Sequence, residues 1–109
     1  PKEYQQLTQL CLTHQFAFHA ININQPDNIL KLIEQADALR RPERFEQFIT
    51  TCSLTDNNTA SHAKLLKSAI YIIQSVDTAS ISNDLDNGKD IAKAIRAKRL
   101  EKLKQELVI

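Results

Sequence analysis

A single glycine in 109 residues, alongside three prolines, constrains this chain more than any other feature. Tight hairpin turns and strand corners draw on glycine because it tolerates positive φ, so a β-rich fold would need more of it. Leu, Ile, Ala, Gln and Lys dominate instead, and these favour helices or pack well on them. The expected fold is all-α, a compact bundle of five to six helices. The length suits one domain, and 42% hydrophobic residues supply a core. The lone glycine also excludes a Gly-rich phosphate loop of the usual kind. No apolar run approaches the roughly 20 residues of a membrane span, and no signal peptide is visible. The chain starts at Pro1 inside a helix-like pattern, which reads as a boundary within a longer polypeptide.

Apolar spacing divides the chain into helices. Tyr4, Leu7, Leu10, Cys11, His14 and Phe18 make one stripe and predict a helix over 2–18. Ile21 to Asn24 reads as an extended connector. Pro26 opens a second helix with Asp27 in its first turn, buries Ile29, Leu30, Leu32, Ile33 and Ala36, and runs to about Ala38. Pro42 opens a third in the same way, with Phe45, Phe48, Ile49 and Cys52 inward, fading near Leu54. Residues 55–59 read as a loop. Ser61 is the expected N-cap of a fourth helix that faces Leu65, Leu66, Ala69, Ile70, Ile73 and Val76 inward. Asp77 to Leu85 reads as a short helix or turn pair capped by Asp77 or Thr78. Asp86-Asn87-Gly88 is a turn before a last helix carrying Ile91, Ile95, Leu103 and Leu107 on one side.

Catalytic chemistry finds no support in these patterns. His14 and His19 are five apart, which is not the i, i+4 spacing of a zinc helix. His62 stands alone beside a loop, and no CxxC, HExxH or calcium-loop spacing occurs. No catalytic residue and no metal ligand is therefore assigned. A hydrolase remnant binding metal through His14 and His19 is a minor alternative. Cys11 and Cys52 sit on apolar faces and read as buried thiols in a cytoplasmic protein. Asp84 and Asp86 read as turn formers.

The cations are more informative. Residues 88–109 carry a net charge of +4, which leaves −3 on the first 87. Arg40, Arg41 and Arg44 crowd the start of the third helix, where arginine opposes the helix dipole. They read either as phosphate-binding forks or as partners of Asp37, Glu43 or Glu46. Lys89, Lys93 and Arg96 share a face of the last helix, with Lys98, Arg99 and Lys102 beside it. That face is either solvated or an electrostatic contact to nucleic acid. With no aromatic side chain interleaved, base stacking is not indicated.

Several of these pieces, in this order, resemble the C-terminal part of bacterial CCA-adding tRNA nucleotidyltransferases, in the subgroup with an HD-type phosphohydrolase domain. The matching pieces are Thr13-His14 through Phe18-His19, Gln25-Pro26, and Asp37-Ala38-Leu39 followed by Arg40-Arg41-Pro42-Glu43-Arg44. Gln74-Ser75-Val76-Asp77 and the series Gly88, Ile91, Ile95, Arg99 complete it. The stretch from Cys52 through Ser53-Leu54-Thr55-Asp56-Asn57-Asn58 departs from the family, which has a Glu and an Arg-Gly-Arg there.

The resemblance implies one helical domain over 1–109. Residues 1–24 correspond to the end of the HD-type domain and 25–109 to the helical tail. It implies a non-catalytic piece, with no cofactor of its own, of an enzyme that adds or repairs the tRNA 3′ CCA end from CTP and ATP with Mg2+. The expected partner is tRNA, held through Arg40, Arg41, Arg44, Lys93, Arg96 and Arg99, and no membrane is involved. The alternative is a helical interaction or dimerisation domain without an RNA role.

Overall fold

The computed structural model describes residues 2–54 and 60–107. Every regular element among them is helical. The six are α1 (Lys2–Ala20), α2 (Pro26–Gln35), α3 (Pro42–Ser53), α4 (Ala60–Gln74), α5 (Thr78–Asp84) and α6 (Gly88–Glu106). This is the all-α bundle that the composition predicts. Residues 55–59, expected as a loop, lie outside the described residues.

Local chemistry explains where the helices start and stop. Pro26 and Pro42 each occupy a first helical turn, where a missing N–H costs nothing. The Asp77 side chain accepts from the Ser80 N–H at 3.1 Å and caps α5. Asn87 accepts from the Lys89 N–H at 2.8 Å and caps α6, so Gly88 is the first residue of a helix and not the end of a turn. Near the end of α3, the hydroxyls of Thr50, Thr51 and Ser53 donate to carbonyls four residues back, a bond that loosens helix geometry.

Four other boundaries differ from the expectation. First, α1 continues to Ala20, two residues beyond Phe18. Second, the connector expected as extended over 21–24 contains a turn over 22–25. The Asn22 carbonyl accepts from the Gln25 N–H at 2.9 Å, and its side chain accepts from the Asn24 N–H at 2.8 Å, the self-made turn that asparagine favours. Third, α2 stops at Gln35 because Asp37 adopts φ 57. The Asp37 N–H then reaches the Glu34 carbonyl at 3.1 Å and the Ala38 N–H reaches Ile33 at 3.0 Å. That is a Schellman ending with aspartate in the usual glycine place. Fourth, Ser61 lies inside α4 and not at its cap.

The core joins α1, α2, α3, α4 and the end of α6. Phe18, Phe45 and Phe48 are fully buried. Phe18 meets Phe48 edge-on, with ring centroids 5.9 Å apart, an arrangement aromatic quadrupoles prefer. Around them pack Ile29, Leu30, Leu32 and Ile33 of α2, Leu66, Ala69 and Ile73 of α4, and Leu103 of α6. Ile72 is buried as well, an inward position that the sequence pattern missed. The most extensive helix contacts are those of α1 with α3 and α4 with α6, and α2 touches α1, α4 and α6. The molecule is flat, 44 × 35 × 18 Å along its principal axes. Its thin dimension fits two helix layers at most.

Candidate nucleic-acid interface

The corner between α2 and α3 holds the arginine run, and it resolves the oddity of cations at a helix start. Arg40 places Nε and an Nη both 2.8 Å from one Asp37 carboxylate oxygen. Arg41, the N-cap residue of α3, brings Nε to 3.9 Å from the same oxygen. Arg44 reaches back and donates to the Ala36 carbonyl at 3.2 Å. These guanidiniums serve the end of α2, where exposed carbonyls and the negative pole of the dipole favour cations. Asp37 is thus the acid that pairs with the run. Glu46 lies 3.9 Å from Lys67 instead.

Two of these arginines also border open space. A groove of about 320 Å³ between α1 and α3 is lined by Glu3, Tyr4, Leu7, Arg41, Glu43 and Arg44, among others. Its two acids offset its two arginines, so the groove by itself does not select an anion. The Nε of Arg44 is buried and has no hydrogen-bond partner among the described residues.

On α6 the cations divide in three. Arg96 is an inter-helix clamp. Its Nε sits 3.0 Å from Glu34 and an Nη 3.6 Å from Asp27, both on α2. Lys98 pairs with Glu101, and Lys102 pairs with Glu106 while donating to the Ser75 hydroxyl at 3.0 Å. Lys89 and Lys93 are exposed and have no ion pair among the described residues. Arg99 is half-buried, and its Nε is shielded without a hydrogen-bond partner. Of the six candidate RNA contacts, then, Arg40, Arg41 and Arg96 are held by acids on or next to α2. Arg44 is partly engaged, and Lys93 and Arg99 are uncommitted. The acids that hold Arg96 are sixty-two or more positions away in sequence, so no local pattern could reveal them. Their seven-residue spacing on α2, which places both on one side of it, was the available clue.

The histidines and cysteines lie apart from these cations or pack within the fold. His62 Nδ1 lies 3.1 Å from the Phe18 carbonyl, and its ring meets Phe18 edge-on at 5.9 Å, so it ties α4 to the end of α1. His14 is half-buried, and burial lowers its pKa. Cys11 and Cys52 are free thiols in mutual hydrogen-bond contact across the α1–α3 seam. Cys52 is buried as expected, and Cys11 is only half-buried. Burial pushes the Cys52 thiol up to about 11, helped by Cys11 beside it, and burial raises Cys11 too. Among the described residues, no group of three His, Cys, Asp or Glu side chains could hold a metal ion. No helix among them is long and apolar enough to cross a membrane.

Comparison with known proteins bears on what these features serve. The chain is 37% identical over 106 residues to the CCA-adding enzyme of Coxiella burnetii, a match covering 95% of this chain and 28% of that enzyme. The chain is related to a segment of the CCA-adding enzymes. The Multifunctional CCA protein of Thioalkalivibrio sulfidiphilus is 30% identical over 113 residues, covering 96% of this chain and 27% of that protein. The CCA-adding enzyme of Pseudomonas putida is 29% identical over 107 residues, covering 95% and 29%. The chain therefore spans between a quarter and a third of the curated relatives it matches. No family model matches it, and no solved structure does. The relationship covers the corner and α6 alike, so both basic regions belong to the shared segment.

Proposed function

We propose that this chain is the C-terminal, non-catalytic part of a CCA-adding tRNA nucleotidyltransferase. The parent enzyme adds or repairs the tRNA 3′ end from CTP and ATP with Mg2+ in the cytoplasm. One observation carries the reading: alignment over 95% of this chain, at up to 37% identity, to proteins that bear that name. The role of this part is scaffold and contact with the tRNA backbone. Lys93 and Arg99 support the second role, since one is exposed and neither is spent on an internal carboxylate. Arg41 supports it as well, because its one ion pair among the described residues is long. Phosphate contacts of this kind add affinity without reading sequence, and salt weakens them.

Two measurements test the reading. The 109-residue chain incubated with CTP, ATP, Mg2+ and a tRNA lacking its CCA end should incorporate neither CMP nor AMP, and incorporation would refute the non-catalytic role. Replacing Arg41, Lys93 and Arg99 by glutamine in the full-length protein should weaken tRNA binding and flatten its dependence on salt, by about one unit of slope for each phosphate no longer neutralised. Unchanged affinity and slope would leave these cations purely structural.

A second reading rests on the ion pairs themselves. Arg40 and Arg96 are held on carboxylates within the fold, as they would be in a helical interaction domain without an RNA role. Under it the replacement of Arg41, Lys93 and Arg99 leaves the salt titration unchanged.

A further inference from the structure

The first helix has an unusual outer side. Leu10 and Phe18 point into the core, yet Leu12 and Phe16, four residues apart on the opposite side, are 61% and 77% exposed. Residues four apart on a helix touch one another, so these two make one patch. Its exposed neighbours Gln5, Thr8 and Gln9 are uncharged. No Lys, Arg, Asp or Glu occurs from Tyr4 to Pro26, in a chain where 25% of residues carry charge. Every other helix of ten or more residues turns charge outward, at Lys31, Glu43, Lys64 and Lys89 for example. A solvent-facing helix ordinarily sets charged and polar residues opposite its core stripe, and here that side carries an exposed leucine and phenylalanine with no charged residue between Tyr4 and Pro26. Scattered exposed apolar residues need no explanation; a paired patch in a charge-free band does.

We propose that the outer face of α1, centred on Leu12 and Phe16, is the seam against which the remainder of the same polypeptide packs, so that α1 is shared by two domains. This rests on the reading of the chain as one part of a longer protein. Nearly three quarters of the Coxiella relative lies outside the matched segment, so covalently attached protein is available as the occupant. A second copy of the chain fits less well. A stable dimer buries roughly 800 Å² per partner, whereas one leucine and one phenylalanine offer a few hundred Å² at most. A tethered domain needs no such area, because its effective concentration reaches the millimolar range. The neutral amides and hydroxyls around the patch suit such a seam, since burying them costs less than burying charge.

Thiol labelling decides the matter. F16C would be introduced into the 109-residue chain and into the full-length polypeptide, and each reacted with a maleimide, with the slow reaction of Cys11 and Cys52 measured in the unsubstituted proteins. The F16C thiol should react freely in the 109-residue chain and at least about ten-fold more slowly in the full-length protein, as expected where reaction awaits local opening. Equal rates in the two proteins overturn the proposal. So does protection that appears in the 109-residue chain as its concentration rises, which would give the face to a second copy. CCA addition by the full-length protein is assayed alongside. A protein that protects the F16C thiol yet adds no CCA retires the enzymatic reading alone, and one that adds CCA with the thiol free retires the seam alone.

Discussion

The two longest helices, α1 and α6, have nineteen residues each and share almost nothing else. In α1 only Lys2 and Glu3 carry charge, whereas ten residues of α6 do. The first buries Leu10 and Phe18 and shows apolar groups on its far side; the second buries only Leu103 and dresses the rest in charge. Neither has the clean amphipathic stripe of α2, and for opposite reasons. One has too little charge to mark an outer face, and the other has too little apolar surface to mark a broad inner one. An indistinct stripe therefore has two physical meanings, and charge content separates them. A helix poor in charge is waiting for cover, and a helix rich in charge is already outside.

The largest test of this contrast lies in the core. Phe18→Ala should cost about 3–5 kcal/mol and Leu103→Ala about 2–5 kcal/mol in denaturant unfolding, because each is fully buried. A small loss at Leu103 would mean that α6 is held by charge and not by packing. Next comes the α1–α3 seam. The thiol of Cys52 titrates higher in the folded chain than in the unfolded one, so the unfolded chain loses its proton first as pH rises. Stability should be intact below pH 9 and fall between about 9 and 11 by up to about 1.4 kcal/mol per pH unit, and Cys52→Ala should remove that part of the slope. A smaller effect is expected at the clamp. Arg96→Gln should cost about 0.5–1 kcal/mol, the scale of partly exposed pairs, and 0.5 M salt should shrink the difference. The smallest belongs to the outer face of α1. Leu12→Ser with Phe16→Ser should change the stability of the 109-residue chain by no more than about 0.5 kcal/mol. A larger loss would show that this face already has cover within the chain and would break the contrast.

Much of the fold was legible because its signals are local. Pro26, Pro42 and Asp77 mark helix starts through bonds they lack or make within three residues, and the stripes of α2 and α3 list their buried residues directly. Asp37 was not legible as a stop, since aspartate accepts the left-handed region only when its surroundings reward it, here through Arg40 and the tucked Ala38. The candidate contacts were legible as cations but not as free ones. Whether Arg96 or Lys93 is available depends on which acids α2 brings near, and that is settled by packing. The uncharged run from Tyr4 to Pro26 lay in plain view, but it acquires meaning only once Leu12 and Phe16 are seen facing outward.

The shortness of α2 has a consequence for how the domain assembles. Ten residues are too few to hold a helix in water unaided, because nucleation is costly and propagation returns little over so short a span. Yet α2 touches α1, α4 and α6, supplies the acids that clamp Arg96 and leads directly into Asp37, which holds Arg40. The segment on which the others lean cannot exist before they do. Folding of this domain should accordingly be concerted, with no stage at which α1 and α6 are docked while α2 is still coil.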